Sequence, residues 1–223
     1  LLKDPLGDGG QWQMFVNLVE KYGLVPKDVY PDTKHSKNSS GLNMVLTKKL
    51  REYCRDIRNN ETFDKKIALE ETYKILVKFL GKPPSQFDWE YLNKNGEYKR
   101  ENSCNPGNFY KKNINLNNYF SLLNDPRNEY NKNFGVKYLG NVSDGKEVKY
   151  LNLDMETLIH LVIKSIDNNE PVWFGSDVGQ FLHSKSNIMD KKVFDMECYL
   201  DTSFTFNKSD RIKYGESLMT HAM

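Results

Sequence analysis

Trp12, Phe15, Val16, Val19 and Tyr22 recur at helical spacing after the pair Gly9 and Gly10, and Gly23 stands where such a helix would end. A second apolar stripe over residues 41–58 is carried by Leu42, Val45, Leu46, Leu50, Tyr53 and Ile57. It is flanked by Lys48, Lys49, Arg51, Arg55 and Arg58. A third, over 64–80, uses Ile67, Ala68, Ile75, Leu76 and Phe79, and Gly81 with Pro83 and Pro84 closes it because proline cannot continue a helix. Residues 85–149 shift toward Asn, Lys and Tyr with turn signals at Asn95-Gly96, Asp125-Pro126 and Asp144-Gly145. Irregular structure with short strands is expected there, including a hairpin joining KYLG to EVKYLNL across Asp144-Gly145. A fourth helix is predicted over 154–167 on Met155, Leu158, Ile159, Val162 and Ile166. VWFGSDV (172–178) reads as a buried strand, and strands are expected near 193–206 and 214–223. Helices first and strands later predict an α+β fold.

Composition narrows the functional classes. At 223 residues and 38% apolar side chains the chain is long enough to bury a core. The 32 basic and 30 acidic residues nearly cancel, so no strong field marks a nucleic-acid or membrane-surface binder. No apolar run approaches the ~20 residues that span a bilayer, and LLKDPLGDGG lacks the regions of a signal peptide. Cys54, Cys104 and Cys198 lie far apart without CxxC spacing, which suits a reducing compartment and makes the cytoplasm the expected location. The first residue is not methionine and the last stretch is THAM, so both ends read as cut.

Four histidines and three cysteines are the candidates for chemistry. His35 is expected in a solvated loop, His183 in another, and His160 as a structural histidine within an apolar helix. His221, in SLMTHAM, has small or apolar neighbours that would place it on a strand facing partly into a core, the support a general base needs. Cys54 has Arg51, Arg55 and Arg58 along its helix, and cationic neighbours lower a thiol pKa. Its place beside the apolar stripe favours a packing role. No cysteine precedes an aromatic residue at a helix start, as a papain-type nucleophile requires, and no Cys or His pair has metal-ligand spacing. No metal or cofactor is expected. Gly9 and Gly10 have two readings, a turn into the helix or a side-chain-free strand that a peptide backbone can approach.

Six stretches in collinear order resemble one family: DGGQW (8–12), EKYGLVPK (20–27), FDWEYL (87–92), NDPR (124–127), VWFGSDVG (172–179) and YGESLMTHAM (214–223). They look like the bleomycin hydrolase and aminopeptidase C family, the cytosolic branch of the papain-like cysteine peptidases. The resemblance implies a partial papain-like fold with a large, mainly helical insertion. Residues 1–35 would belong to the helical subdomain with the substrate-binding glycines, 36–152 to the insertion, and 153–223 to the β subdomain that ends at the catalytic histidine. It implies an aminopeptidase with a Cys-His-Asn triad, in which His221 is the catalytic base, Gly9 and Gly10 hydrogen-bond the substrate backbone, and Gly175 and Ala222 line the pocket for the second residue. Peptides are the implied substrates and a homohexamer the implied assembly; nucleic acid is a lesser partner through the basic 48–58 face. The helix after DGG is expected to share a core with VWFGSDV and the strand ending at Met223. The pattern also departs from the family. Neither the GxCW motif of the nucleophile nor the ENSWG motif of the asparagine occurs in these residues, and Ser176 stands where WFGCDVG carries a cysteine. By this reading the chain supplies the histidine alone. The alternative is a noncatalytic assembly or nucleic-acid-binding module that reuses the fold.

Overall fold

The computed structural model describes residues 5–7, 9–59 and 62–217, together with the backbone of 221–222. Two compact units emerge from it, one comprising the residues up to 118 with 141–145 and the other 119–140 with the residues from 146 on.

In the first unit the amphipathic stripes become helices where their spacing predicts them. They are α1 (Trp12–Tyr22), α3 (Ser40–Arg58) and α4 (Lys65–Leu80), with a short α2 (Lys34–Lys37) before α3. Asp64 caps α4 by accepting from the amides of Lys66 and Ile67, which satisfies donors that have no partner within the helix. The stripes of α3 and α4 face each other, and the Tyr53 hydroxyl donates to Glu71 at 2.7 Å while Lys49 bridges Glu71 at 3.0 Å and Glu52 at 3.2 Å. One helix, α5 (Pro106–Asn113), arises inside the stretch expected to be irregular. Asn105 accepts from the Asn108 amide, and Pro106 at the first helical position loses no bond, since its missing N–H would be unpaired there anyway. The core of this unit joins Val16 and Val19 of α1 to Tyr110 and Leu116, with Trp12, Phe15, Leu24 and Ile114 packed around them.

This packing corrects one expectation. The apolar face of α1 is covered by α5 and the residues after it, and VWFGSDV falls in the other unit; Met223 lies outside the described residues. Strands β1 (Phe87–Leu92) and β2 (Tyr98–Cys104) form an antiparallel hairpin around Asn95-Gly96, where Gly96 has φ +77°. Trp89 meets Phe109 edge-on at 4.9 Å, which fixes the hairpin against α5. The α1–α5 junction is close. Gly23 ends α1 with φ +79°, and a Cβ added there would lie 2.2 Å from the Pro106 carbonyl carbon. Gly23→Ala is expected to destabilise the chain by about 2 to 3 kcal/mol in denaturant unfolding, through backbone strain and displacement of the 106–107 peptide. A loss below about 0.5 kcal/mol would show that this approach is not tight.

The second unit is built around a three-stranded sheet in the order β3 (Leu122–Leu123), β5 (Lys149–Asn152), β4 (Lys132–Gly135), with β3 parallel and β4 antiparallel to β5. Here the expected hairpin is corrected. KYLG is not a strand, β5 takes KNFG (132–135) as its antiparallel partner, and 141–145 goes with the first unit. There Lys21 pairs with Asp144 at 2.9 Å and Asn141 donates to the Met14 carbonyl. Asn152 is fully buried at the end of β5. Its side chain accepts from the Asp125 amide at 2.8 Å and donates to the carbonyls of Asp125, Asn128 and Glu129 at 3.0 to 3.1 Å. Arg127 closes the same turn on the Asp125 carboxylate and holds it below the usual carboxylate range.

Helix α6 (Met155–Asp167) starts where predicted, at the Asp154 cap, although Met155, Ile159 and Ile166 of its stripe are exposed, as are Leu161 and Ile163 beside it. Then follow β6 (Gly175–Ser176), α7 (Val178–Phe181), the two-residue hairpin of β7 (Leu182–His183) and β8 (Ile188–Met189), α8 (Met196–Leu200), α9 (Lys208–Lys213) and β9 (His221–Ala222). The buried strand expected at 172–178 shrinks to Gly175–Ser176, which among the described residues pair with Ala222 and His221, and Trp173 and Phe174 are 49% and 43% exposed. Likewise 193–206 contains a helix turn, not a strand. Asp195 accepts from the Cys198 amide and starts α8. Residues 208–213 are helical because Asn207 and Asp210 cap each other reciprocally.

Candidate active site

Strand β6 reaches its antiparallel partner β9 through a long chain separation, and the register puts Gly175 opposite Ala222 and Ser176 opposite His221. The three residues expected on the substrate side of this unit, Gly175, His221 and Ala222, are therefore neighbours on a two-stranded ribbon. Cross-strand pairing sets their spacing through backbone hydrogen bonds, so the histidine sits on regular backbone. The remainder of MTHAM, at 219, 220 and 223, lies outside the described residues.

Side chains on the 175–180 segment also grip the chain that leads into β9. The Ser217 hydroxyl donates to the Asp177 carboxylate at 2.8 Å, and the Gln180 amide donates to the Glu216 carbonyl. Asp177 stands at the N-cap of α7 yet makes no capping bond; its carboxylate is turned to Ser217 instead. Sequence reading missed all three side chains. The one local signal is an aspartate in front of a short helix, which reads as an ordinary cap. From below, Ser176 Oγ contacts Met189 Sδ at 3.6 Å and the Asp190 amide donates to the Phe181 carbonyl, so β6 and α7 rest on the β7–β8 hairpin.

The other candidates are placed elsewhere. Gly9 and Gly10 are exposed residues leading into α1 in the first unit, with open space where a Cβ would be added at either. His35 belongs to the short helix α2, not a loop, with its ring edge-on to Phe79 at 4.6 Å. His183 is on β7, where Nδ1 lies 2.7 Å from Ser186 Oγ. His160, expected to be a packed structural residue, is exposed on α6, as are its neighbours Ile159 and Leu161, because no residue of this helix is buried among the described residues. Cys54 is half-buried on α3, Cys198 is exposed on α8, and Cys104 ends β2 with its sulfur 3.9 Å from a Glu101 carboxylate oxygen. Among the described residues no group of three His, Cys, Asp or Glu side chains could hold a metal ion, and no helix is long and apolar enough to cross a membrane.

Comparison with known proteins gives these residues a context. The Peptidase C1-like family matches residues 1–223. Aminopeptidase C of Lactococcus lactis subsp. cremoris is 42% identical over 233 residues, covering 100% of this chain and 53% of the relative. Bleomycin hydrolase of Homo sapiens is 37% identical over 241 residues, covering 100% of this chain and 52% of the relative. The crystal structure of PepW from Lactobacillus rhamnosis superposes with a TM-score of 0.82 at 40% identity, covering all of this chain and 53% of that one. The fold class is thus the papain-like α+β class expected from the sequence. The chain spans about half the length of the curated relatives it matches.

Proposed function

We propose, from the premise that this chain belongs to the Peptidase C1-like family, that it supplies the general-base histidine of a cysteine aminopeptidase. The observation that carries this reading is the β6–β9 pairing, which puts His221 and Ala222 against Ser176 and Gly175. In such an enzyme the His221 imidazole takes the proton from a cysteine thiol as the thiolate attacks the substrate carbonyl, and then returns it to the departing amine. Gly175 and Ala222 form walls of the pocket for the second residue, since side chains of this size leave room beside the paired strands. Gly9 and Gly10 hydrogen-bond the substrate backbone, for which open space around both is a requirement. The nucleophile and the asparagine that orients the histidine belong to polypeptide other than these residues, because neither GxCW nor ENSWG occurs among them. Peptides with a free amino terminus are the substrates, the assembly is a homohexamer, and the enzyme works in the cytoplasm. Residues 1–35 and 153–223 contribute to the two papain-like subdomains and 36–152 form the insertion.

A noncatalytic, nucleic-acid-binding role has one observation in its favour, a shallow depression on α3 lined by Lys48, Arg51 and Arg55. Arg55 is paired with Asp56 there and Lys49 with Glu52 and Glu71, so much of the local positive charge is already compensated. The peptidase reading is tested with the 223-residue chain alone. It is expected to hydrolyse no aminoacyl-coumarin substrate, and an epoxide inhibitor of cysteine peptidases should label no cysteine, because catalysis needs an activated thiolate. Turnover accompanied by labelling at Cys54 would overturn the assignment.

A further inference from the structure

Asp177 and Gln180 bind the chain on the way to His221 from the same short segment that pairs with it. Asp177 follows Ser176, the cross-strand partner of His221, and its carboxylate accepts from Ser217, four positions before the histidine. Gln180, one helical turn further on, holds the Glu216 carbonyl. The far side of this stretch is anchored as well, since the amides of Glu216 and Ser217 both donate to the Arg211 carbonyl, at 2.9 and 3.2 Å, and Gly215 makes the turn at φ +77°. The two pairs of the β6–β9 ladder among the described residues supply few cross-strand bonds to offset the entropy of ordering the two segments, so bonds beside the ladder help to fix its register. Side-chain bonds from Asp177 and Gln180 on one side of residues 216–217, and backbone bonds to Arg211 on the other, provide that hold.

We propose that Asp177 and Gln180 are positioning residues for His221, clasping Glu216 and Ser217 so that β9 pairs with β6 in one register. The proposal rests on the functional reading of His221 as the base. Asp177 leaves its cap position unused in order to make this bond, so the carboxylate serves the neighbouring strand and not its own helix. Each element of the clasp lies within one unit.

The test combines Asp177→Ala, Gln180→Ala and the conservative Asp177→Asn, whose amide oxygen can still accept from Ser217. In the 223-residue chain, whichever of the two successive amides of His221 and Ala222 donates to β6 is expected to exchange with solvent at least about tenfold faster in Asp177→Ala and Gln180→Ala, with core protection unchanged, and Asp177→Asn should restore most of the protection. In the intact enzyme both alanine variants are expected to lose about 10- to 100-fold in kcat with KM within about twofold, since a misplaced base costs transition-state stabilisation more than binding. Unchanged exchange at His221 and Ala222 would overturn the clasp. So would a loss of kcat that only tracks the folded fraction, with Asp177→Asn no better than Asp177→Ala. If His221→Ala itself leaves turnover intact, the catalytic reading fails by a separate measurement, and the exchange data still decide whether the strand is clasped.

Discussion

His221→Ala in the intact enzyme is expected to abolish aminopeptidase turnover with little change in melting temperature. The physical basis is that a thiol at its ordinary pKa is mostly protonated at neutral pH and needs an adjacent base, or an imidazolium partner, to become the nucleophile. Members of such a unit act together, so removing one costs about 10³- to 10⁶-fold in kcat and not a fraction proportional to its contacts. The fold should tolerate the change because β9 contributes backbone pairing at this position, which alanine retains. His160→Ala is the control. Its exposed place on α6 predicts a stability change within about 0.5 kcal/mol and unaltered kcat and KM, in contrast to the destabilisation that a packed histidine would show. Steady-state kinetics and thermal unfolding of the two variants check this together. A His221 variant that kept a tenth of normal turnover would remove it from catalysis.

Asn152→Ala is expected to be the most destabilising single substitution in the second unit, by about 3 kcal/mol, because it strands the buried amide and carbonyl of Asp125 and removes the donor shared by the more exposed carbonyls of Asn128 and Glu129. The side chain is fully buried and serves the Asp125 amide and the Asp125, Asn128 and Glu129 carbonyls. The Asp125 amide and carbonyl, left without this partner, pay the desolvation of buried dipoles, whereas the carbonyls of exposed Asn128 and Glu129 can turn to water at smaller cost. Asn152→Asp separates shape from chemistry. It keeps an acceptor for the Asp125 amide, loses the donors, and buries a carboxylate facing carbonyl oxygens. Such a carboxylate would have a folded-state pKa above its unfolded value, so its protonated form contributes stability at low pH that is lost as pH rises through and beyond the unfolded pKa. Urea unfolding at pH 7 and pH 4 should therefore show Asn152→Asp recovering part of its deficit in acid while Asn152→Ala does not. A cost for Asn152→Ala below about 1 kcal/mol would mean that the 125–129 turn is held by Arg127 and the backbone alone.

Positions that depend on local chemistry were legible along the chain, and positions that depend on distant partners were not. Residues such as Val16 and Val19, Tyr53 and Asp64 declare their helices through 3.6-residue spacing and caps, because those preferences act within a few residues. The family, too, could be read from six collinear stretches, and with it the papain-like class. Helix α5 was hidden because its signal, Asn105 followed by Pro106, lay in a polar stretch without a full apolar stripe. The strands were hardest. KNFG and KYLG differ little in local preference, and only the sheet selects the first as the partner of β5. VWFGSDV looks like a long buried strand, yet only Gly175 and Ser176 of it are extended in a ladder among the described residues, and their partners lie more than forty positions away. Asp177, Gln180 and Ser217 carry no mark of their association, since a hydrogen bond across 36 or 40 positions depends on how the chain returns and not on its neighbours in sequence. Thus sequence alone determined the four longer helices α1, α3, α4 and α6, the family and the choice of candidate base, all products of short-range periodicity or of collinear motif identity. Tertiary structure alone decided which strands pair, that Asn152 anchors the 125–129 turn, and what holds the His221 strand in place, because long-range pairing is selected by the free energy of the assembled core and not by local preference.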